Sequence, residues 1–266
     1  GTKSFNYWTR NADNFFIGKF LGSEALGFYS RAFFFVTLPV QRISSIISNV
    51  LFPSMSLYGD DTSKISTLYL KSMRITSFIT FPLTGGLIVF AEPFVTILFG
   101  AKWLPIVTCL KILTVMSMLE SVLVFSTSVF YARGATALNF KLSTLMGIAN
   151  IIVFYIGSQY SIEMVAILLI IAYIFTVLPK IYYCSRLIDI TMFKIFRNLA
   201  PTFIYNLMCM GFGYIMLVTL TNTFSKSWVL TLGCTSYGLL FIVLNLVFNS
   251  NDSKEFLGYG KKLLSA

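Results

Sequence analysis

Asn6, Arg10, Asp13 and Asn14 stand in one apolar segment of the chain, and Arg31, Gln41, Arg42 and Asn49 stand in the next. A guanidinium stays charged at any physiological pH and grips phosphate oxygens through a planar fork, so arginines at several depths suit an anionic, phosphate-bearing group. Asp13 offers the complementary chemistry, a carboxylate able to take up a proton or a sodium ion, and Glu120 repeats it further along. Ionisable groups inside long apolar helices are costly unless they face water, a partner or a substrate, which makes them functional candidates by default. At about 100° per residue, Asn6, Arg10 and Asp13 fall on one stripe of roughly 60°, and Arg31, Arg42, Ser45 and Asn49 share another. The two helices are expected to line a polar cavity. The alternative is that these residues are structural pairs that clamp neighbouring helices.

The elements that carry them follow from composition. The chain of 266 residues is 56% hydrophobic and 11% charged, with 27 Phe, and its mean hydropathy is +0.80. Soluble domains carry about 25% charged residues, so this is a polytopic membrane protein. The apolar runs are long and unbroken, which selects helices over the short alternating segments of a β-barrel. The fold class is therefore all-α, a membrane helical bundle. The net charge of +10 comes from basic residues crowded into short loops, a sign of topology, and no nucleic-acid partner is expected. No removable signal peptide is expected at the start, and the first helix is read as a span. Cys109, Cys184, Cys209 and Cys234 are scattered without metal-binding spacing, and the sequence has no histidine. No metal or cofactor site is expected, and the cysteines read as packing residues.

About eight spans of roughly 17 to 32 residues are predicted: Thr2 to Leu21, Glu24 to Phe52, Leu68 to Phe99, Leu104 to Tyr131, Phe140 to Ile156, Ile162 to Cys184, Leu199 to Leu220 and Trp228 to Phe248. Leu21-Gly22-Ser23-Glu24 is a tight break in which Gly22 ends one helix and Ser23 caps the next, giving an antiparallel hairpin. In such a hairpin Asp13 and Arg31 should lie level, placed either to approach one another as a latch or to leave Asp13 to pair with Arg10 on its own helix. Pro39 should kink the second span, and Glu92-Pro93 should break the third, leaving a short surface helix. In the fourth span Lys111 and Glu120 are nine residues apart and must face opposite sides. Alternate loops carry twelve basic residues, Lys180 among them, against three in the others. Both chain ends are therefore expected in the cytoplasm. Asp189 to Asn198, with Met192, Phe193, Ile195 and Phe196 beside Lys194 and Arg197, has an amphipathic pattern suited to the inner membrane surface.

There is no histidine, serine elbow, glycine-rich phosphate loop or carboxylate cluster, so the residues do not support an enzyme. A resemblance then narrows the reading. Arg10-Asn11-Ala12-Asp13-Asn14-Phe15-Phe16-Ile17-Gly18-Lys19-Phe20-Leu21-Gly22, Ala25-Leu26-Gly27-Phe28-Tyr29-Ser30-Arg31-Ala32, and Pro39 to Ser54 with Ile46, Ser48, Leu51, Phe52 and Pro53 resemble the second half of bacterial polysaccharide flippases. Ala91-Glu92-Pro93-Phe94-Val95-Thr96-Ile97-Leu98-Phe99-Gly100 with Trp103, and Arg133-Gly134 with Asn139-Phe140-Lys141, add to the likeness, which thins after Tyr160. The family in question is the O-antigen and colanic-acid type of exporter, within the multidrug, oligosaccharidyl-lipid and polysaccharide exporter superfamily.

The resemblance implies an inner-membrane transporter for lipopolysaccharide-type surface polymers, moving a polyprenyl-pyrophosphate-linked oligosaccharide between leaflets by alternating access of two lobes. Substrate would meet Asn6, Arg10, Asn14, Arg31, Gln41 and Arg42, and Asp13 or Glu120 would couple an ion. It also implies that 1–187 is a second six-helix lobe and that 188–266 holds an interfacial linker, two additional helices and a cytoplasmic tail. The first lobe would be the missing partner. The competing readings are a multidrug extruder, which the excess of intramembrane arginines disfavours for cationic cargo, and a membrane assembly subunit that transports nothing.

Overall fold

The structure, a computed structural model, describes residues 2–59, 61–221 and 225–248, with side chains from residue 11 onward. Among these the chain is all-α, with no strand: α1 (Thr2–Phe20), α2 (Gly22–Leu57), α3 (Thr62–Val89), α4 (Ala91–Phe99), a 3₁₀ turn (Ala101–Trp103), α5 (Ile106–Leu123), α6 (Ser126–Ala132), α7 (Thr136–Gly157), α8 (Ile162–Leu187), α9 (Met192–Thr221) and α10 (Lys226–Phe248). Seven stretches are long and apolar enough to cross a membrane: α2, α3, α5 with α6, α7, α8, α9 and α10. α1, read from the sequence as the first span, is not among them; it packs beside α2 and α7.

Helix ends depart from the sequence expectations in ways that local chemistry explains. α3 starts at Thr62 rather than Leu68 because Asp61 caps it, its carboxylate accepting the Lys64 N–H at 3.1 Å. That bond and the Lys64 ammonium, 3.1 Å away, hold the Asp61 carboxyl below its usual range, so the cap stays ionised at neutral pH. The break after α3 falls at Phe90, not at Glu92-Pro93. Pro93 sits in the first turn of α4, where a missing N–H costs nothing. α2 runs unbroken through both Pro39 and Pro53. The carbonyl of Val36, in the turn before Pro39, accepts the Ser117 hydroxyl of α5 at 2.9 Å. Ser23 is not a cap: α2 begins at Gly22 with no side-chain cap bond, and the reversal is carried by Gly22 at φ 86°. The fourth predicted span is two helices, α5 and α6, interrupted at Val124 and Phe125. Asp189 to Asn198 is not a separate surface helix either, since its last seven residues are the opening turns of α9.

One large apolar core joins α1 to α8 and the start of α9, with Tyr29, Tyr69, Phe125 and Phe130 among its fully buried members. A second, smaller core of Val89, Phe90, Cys209, Tyr237 and Phe241 seats α9 and α10 against α3. Small residues let these backbones approach, which is how helices associate where no hydrophobic drive separates helix from lipid. Tyr237 Oη donates to Asn206 Oδ1 at 2.6 Å across α9 and α10, directly over Gly85 of α3. A Cβ on Gly85 would sit 2.6 and 2.9 Å from the Asn206 amide atoms and closer still to the Tyr237 hydroxyl. Gly85→Ala should therefore cost about 1 to 3 kcal/mol of thermal stability, read as a lowered melting temperature in detergent. Gly211→Ala, with open space around the added methyl, should leave it unchanged.

Candidate functional site

The α1–α2 hairpin is locked in register by one cross-helix bond, Ser30 Oγ to Asn14 Oδ1 at 3.3 Å. One residue to either side, Asp13 and Arg31 therefore lie at the same depth, as antiparallel packing demands. They do not meet. Asp13 is only 8% exposed and turns into the lobe, where its Oδ1 accepts the Asn14 N–H at 2.8 Å. It lies within electrostatic reach of the Tyr29 hydroxyl, which is fully buried without a hydrogen-bond partner among the described residues. Arg31 is exposed on the opposite side of the hairpin contact, and no ion pair joins the two, so the expected latch is absent.

What the hairpin does present is a polar strip. Asn14, Ser30, Arg31, Gln41, Arg42, Ser45 and Asn49 are all exposed. Ser45 spends its hydroxyl on the Arg42 carbonyl at 2.9 Å, but the Arg31 and Arg42 side chains make no hydrogen bond or ion pair with a described residue. Buried residues of α2, from Tyr29 through Ala32, Val36 and Val40 to Ser44, occupy the other face and fix its orientation. The strip is the outward face of a helix whose inward face is bolted to α5 and α3. The side chains of Asn6 and Arg10 lie outside the described residues.

Glu120 belongs to a different place. It is half-buried where α5 meets α8, with the exposed Lys111 on the other side of α5 as its spacing requires. Its carboxylate makes no hydrogen bond with a described residue, but Lys180 and Tyr173 of α8 lie within electrostatic reach. Lys180 is no loop cation. It sits inside α8, half-buried, and donates to Thr127 Oγ1 of α6 at 3.1 Å. Beside it Tyr69 of α3 and Ser126 of α6 share a buried hydrogen bond of 3.0 Å, and Cys184 lies one turn further along α8. The interruption between α5 and α6 thus opens onto a cluster joining a carboxylate, an ammonium and the hydroxyls of Tyr69, Ser126, Thr127 and Tyr173. Sequence reasoning missed it by counting Lys180 among loop residues, although Lys180 precedes Cys184 inside the sixth predicted span.

With this geometry in view, comparison with known proteins is informative. Residues 1–108 match the family model described as polysaccharide biosynthesis protein. That match covers less than half of the chain. Similar proteins include the teichuronic acid biosynthesis protein TuaB of Bacillus subtilis, 30% identical over 173 residues, 65% of this chain and 35% of the relative. The lipopolysaccharide biosynthesis protein WzxC of Escherichia coli is 30% identical over 154 residues, 58% of this chain and 31% of the relative. The succinoglycan biosynthesis transport protein ExoT of Rhizobium meliloti is 31% identical over 103 residues, 39% of this chain and 21% of the relative. The aligned part thus spans about a third or less of each. In fold, the chain superposes on the lipid II flippase MurJ in its inward closed conformation with a TM-score of 0.74, 18% identity, and coverage of 93% of this chain and 52% of MurJ. The all-α membrane bundle read from composition is the fold of a known flippase.

The Glu120 and Lys180 cluster yields a test. If the two charges stabilise one another across α5 and α8, removing either strands the other, whereas removing both does not. In a double-mutant cycle of Glu120→Gln and Lys180→Met, each single change should lower stability by about 2 kcal/mol or more, and the pair by less than the sum. Chemical unfolding in detergent provides the measurement, and strict additivity would dissolve the cluster as a unit.

Proposed function

We propose that this chain is part of a transporter that carries lipid-linked oligosaccharide, a polyprenyl-pyrophosphate-linked repeat unit, across the bacterial inner membrane for cell-surface polysaccharide synthesis. The observation that carries this reading is the exposed strip of Asn14, Arg31, Gln41 and Arg42 on a membrane helix hairpin, inside the segment that matches the polysaccharide biosynthesis family. Two guanidinium groups without a partner among the described residues, facing outward from an apolar bundle, suit a pyrophosphate that must pass through hydrocarbon. A solvated surface would need no such helix. A lipid-facing one could not carry it.

In this reading 1–187 forms one lobe and 188–266 contributes the added helix pair with its linker and tail. The polar strip faces a cavity completed by the region of the relatives that this chain does not cover. Both chain ends lie in the cytoplasm, in keeping with the bias of the basic residues toward one set of span ends once Lys180 is moved into the membrane. Chemistry is confined to binding and movement, and no residue is given a catalytic role. Asp13 and Glu120 are the candidates for ion coupling; both are withdrawn from the strip, as a coupling site that acts through the packing would be.

Arg31→Ala and Arg42→Ala in the full-length protein should each reduce polysaccharide export in a complementation assay by about tenfold or more, with membrane abundance near wild type. Lysine at the same positions should rescue part of the loss, because it restores charge without the fork. Wild-type export by both alanine variants at normal abundance would overturn the cavity assignment.

A further inference from the structure

The opening of α9 carries surface chemistry that oligosaccharide transport does not use. Phe193 is 72% exposed and Phe196 49%, and Lys194 and Arg197 between and beside them are exposed as well. At about 100° per residue Phe196, Phe193, Arg197 and Lys194 fall in that order around one arc of roughly 160°. The opposite side holds Ile195, Leu199 and Thr202, all buried. This arc is held at a fixed height. Arg74 of α3 donates through Nε and Nη2 to Asn198 Oδ1 at 3.1 and 2.7 Å, and Asn198 Nδ2 donates to the Leu70 carbonyl at 2.9 Å. Thr191 Oγ1 accepts the Lys194 N–H at 3.3 Å at the helix start. The side chains of Lys194 and Arg197, by contrast, make no hydrogen bond or ion pair with a described residue. Arg186 at the end of α8 adds a third exposed cation, stacked on Tyr182. One exposed acid, Asp189, lies in the turn between the helices.

We infer that this arc is a binding site for an anionic phospholipid headgroup: Phe193 and Phe196 insert among the acyl chains while Lys194, Arg197 and Arg186 hold the phosphate. Large exposed rings beside free cations, three positive charges to one negative, complement a surface that is apolar below and negatively charged above. A soluble acidic protein would match the charges but leave the two rings in water. An uncharged lipid would match the rings but leave the cations without a counter-charge. The rigid clamp from α3 places the rings at a constant depth, so the site selects lipids by headgroup rather than adapting to them. It is separate from the Arg31 and Arg42 strip, and its failure would leave the transport reading untouched.

The test compares the full-length protein in nanodiscs of phosphatidylcholine alone and of phosphatidylcholine with phosphatidylglycerol. The anionic lipid should raise the melting temperature of the wild type by a few degrees, and high salt should shrink that shift because headgroup attraction is screened. The Lys194→Gln, Arg197→Gln double variant should melt like wild type in pure phosphatidylcholine and lose most of the phosphatidylglycerol shift. Lys102→Gln, at an exposed cation on the 3₁₀ turn, should keep it. A wild-type shift that is absent or indifferent to salt overturns the proposal without reference to any variant. So does a full shift retained by the double variant.

Discussion

Inside hydrocarbon there is no water to accept a stray proton or lone pair, so every polar group on this chain must be satisfied within the bundle or have a reason to face outward. The backbone meets the demand by being helical along nearly all of its described length. Many serine and threonine hydroxyls meet it by bonding back to the carbonyl three or four residues earlier, as Thr80, Thr84, Thr114 and Thr176 do. Other side-chain bonds cross between helices and mark their joints, among them Ser30 to Asn14, Ser117 to Val36, Tyr69 to Ser126, Thr80 to Ser121, Lys180 to Thr127, Tyr237 to Asn206 and Arg74 to Asn198.

Seen against that economy, the polar residues divide by direction. Asp13, Tyr29 and the Glu120 cluster point into the packing and act through how the helices hold together. Arg31, Gln41, Arg42 and Asn49 point away from it and can influence only what approaches from outside. The two groups meet at the hairpin, where the buried Asp13 and the exposed Asn14 are sequence neighbours about 100° apart around α1. A ligand on the strip and an ion in the packing would therefore be separated by the thickness of a single helix.

Much of this was legible in the sequence, because span length, the Gly22 reversal and the α2 stripe all rest on local rules of periodicity and backbone freedom. The level placement of Asp13 and Arg31 followed from the hairpin alone. Whether they touch did not, since rotation of α1 about its axis is set by α7 and the core around Tyr29, which no local pattern encodes. The interruption between α5 and α6 has no proline or glycine to announce it. Lys180 escaped because a single cation near the end of an apolar run reads as a loop residue unless its partner, on a helix some fifty residues away, is known. The start of α9 was read as amphipathic, yet its continuity with the following span depends on Asn198 being claimed by Arg74, a contact between residues 124 apart.

The hairpin has one further consequence, for how such chains can change in evolution. Only Leu21 separates α1 from α2, and Gly22 spends its left-handed backbone on the reversal itself, leaving no slack to absorb a change of length. Substituting a residue on the strip alters one side chain. Inserting or deleting a residue between Asn14 and Gly22 would turn everything before it by about 100°, exchanging the inward Asp13 for its outward neighbour and parting Asn14 from Ser30. Variation in what the strip accepts must come through changes of residue type at fixed spacing, while changes of length are confined to the ends of the helices.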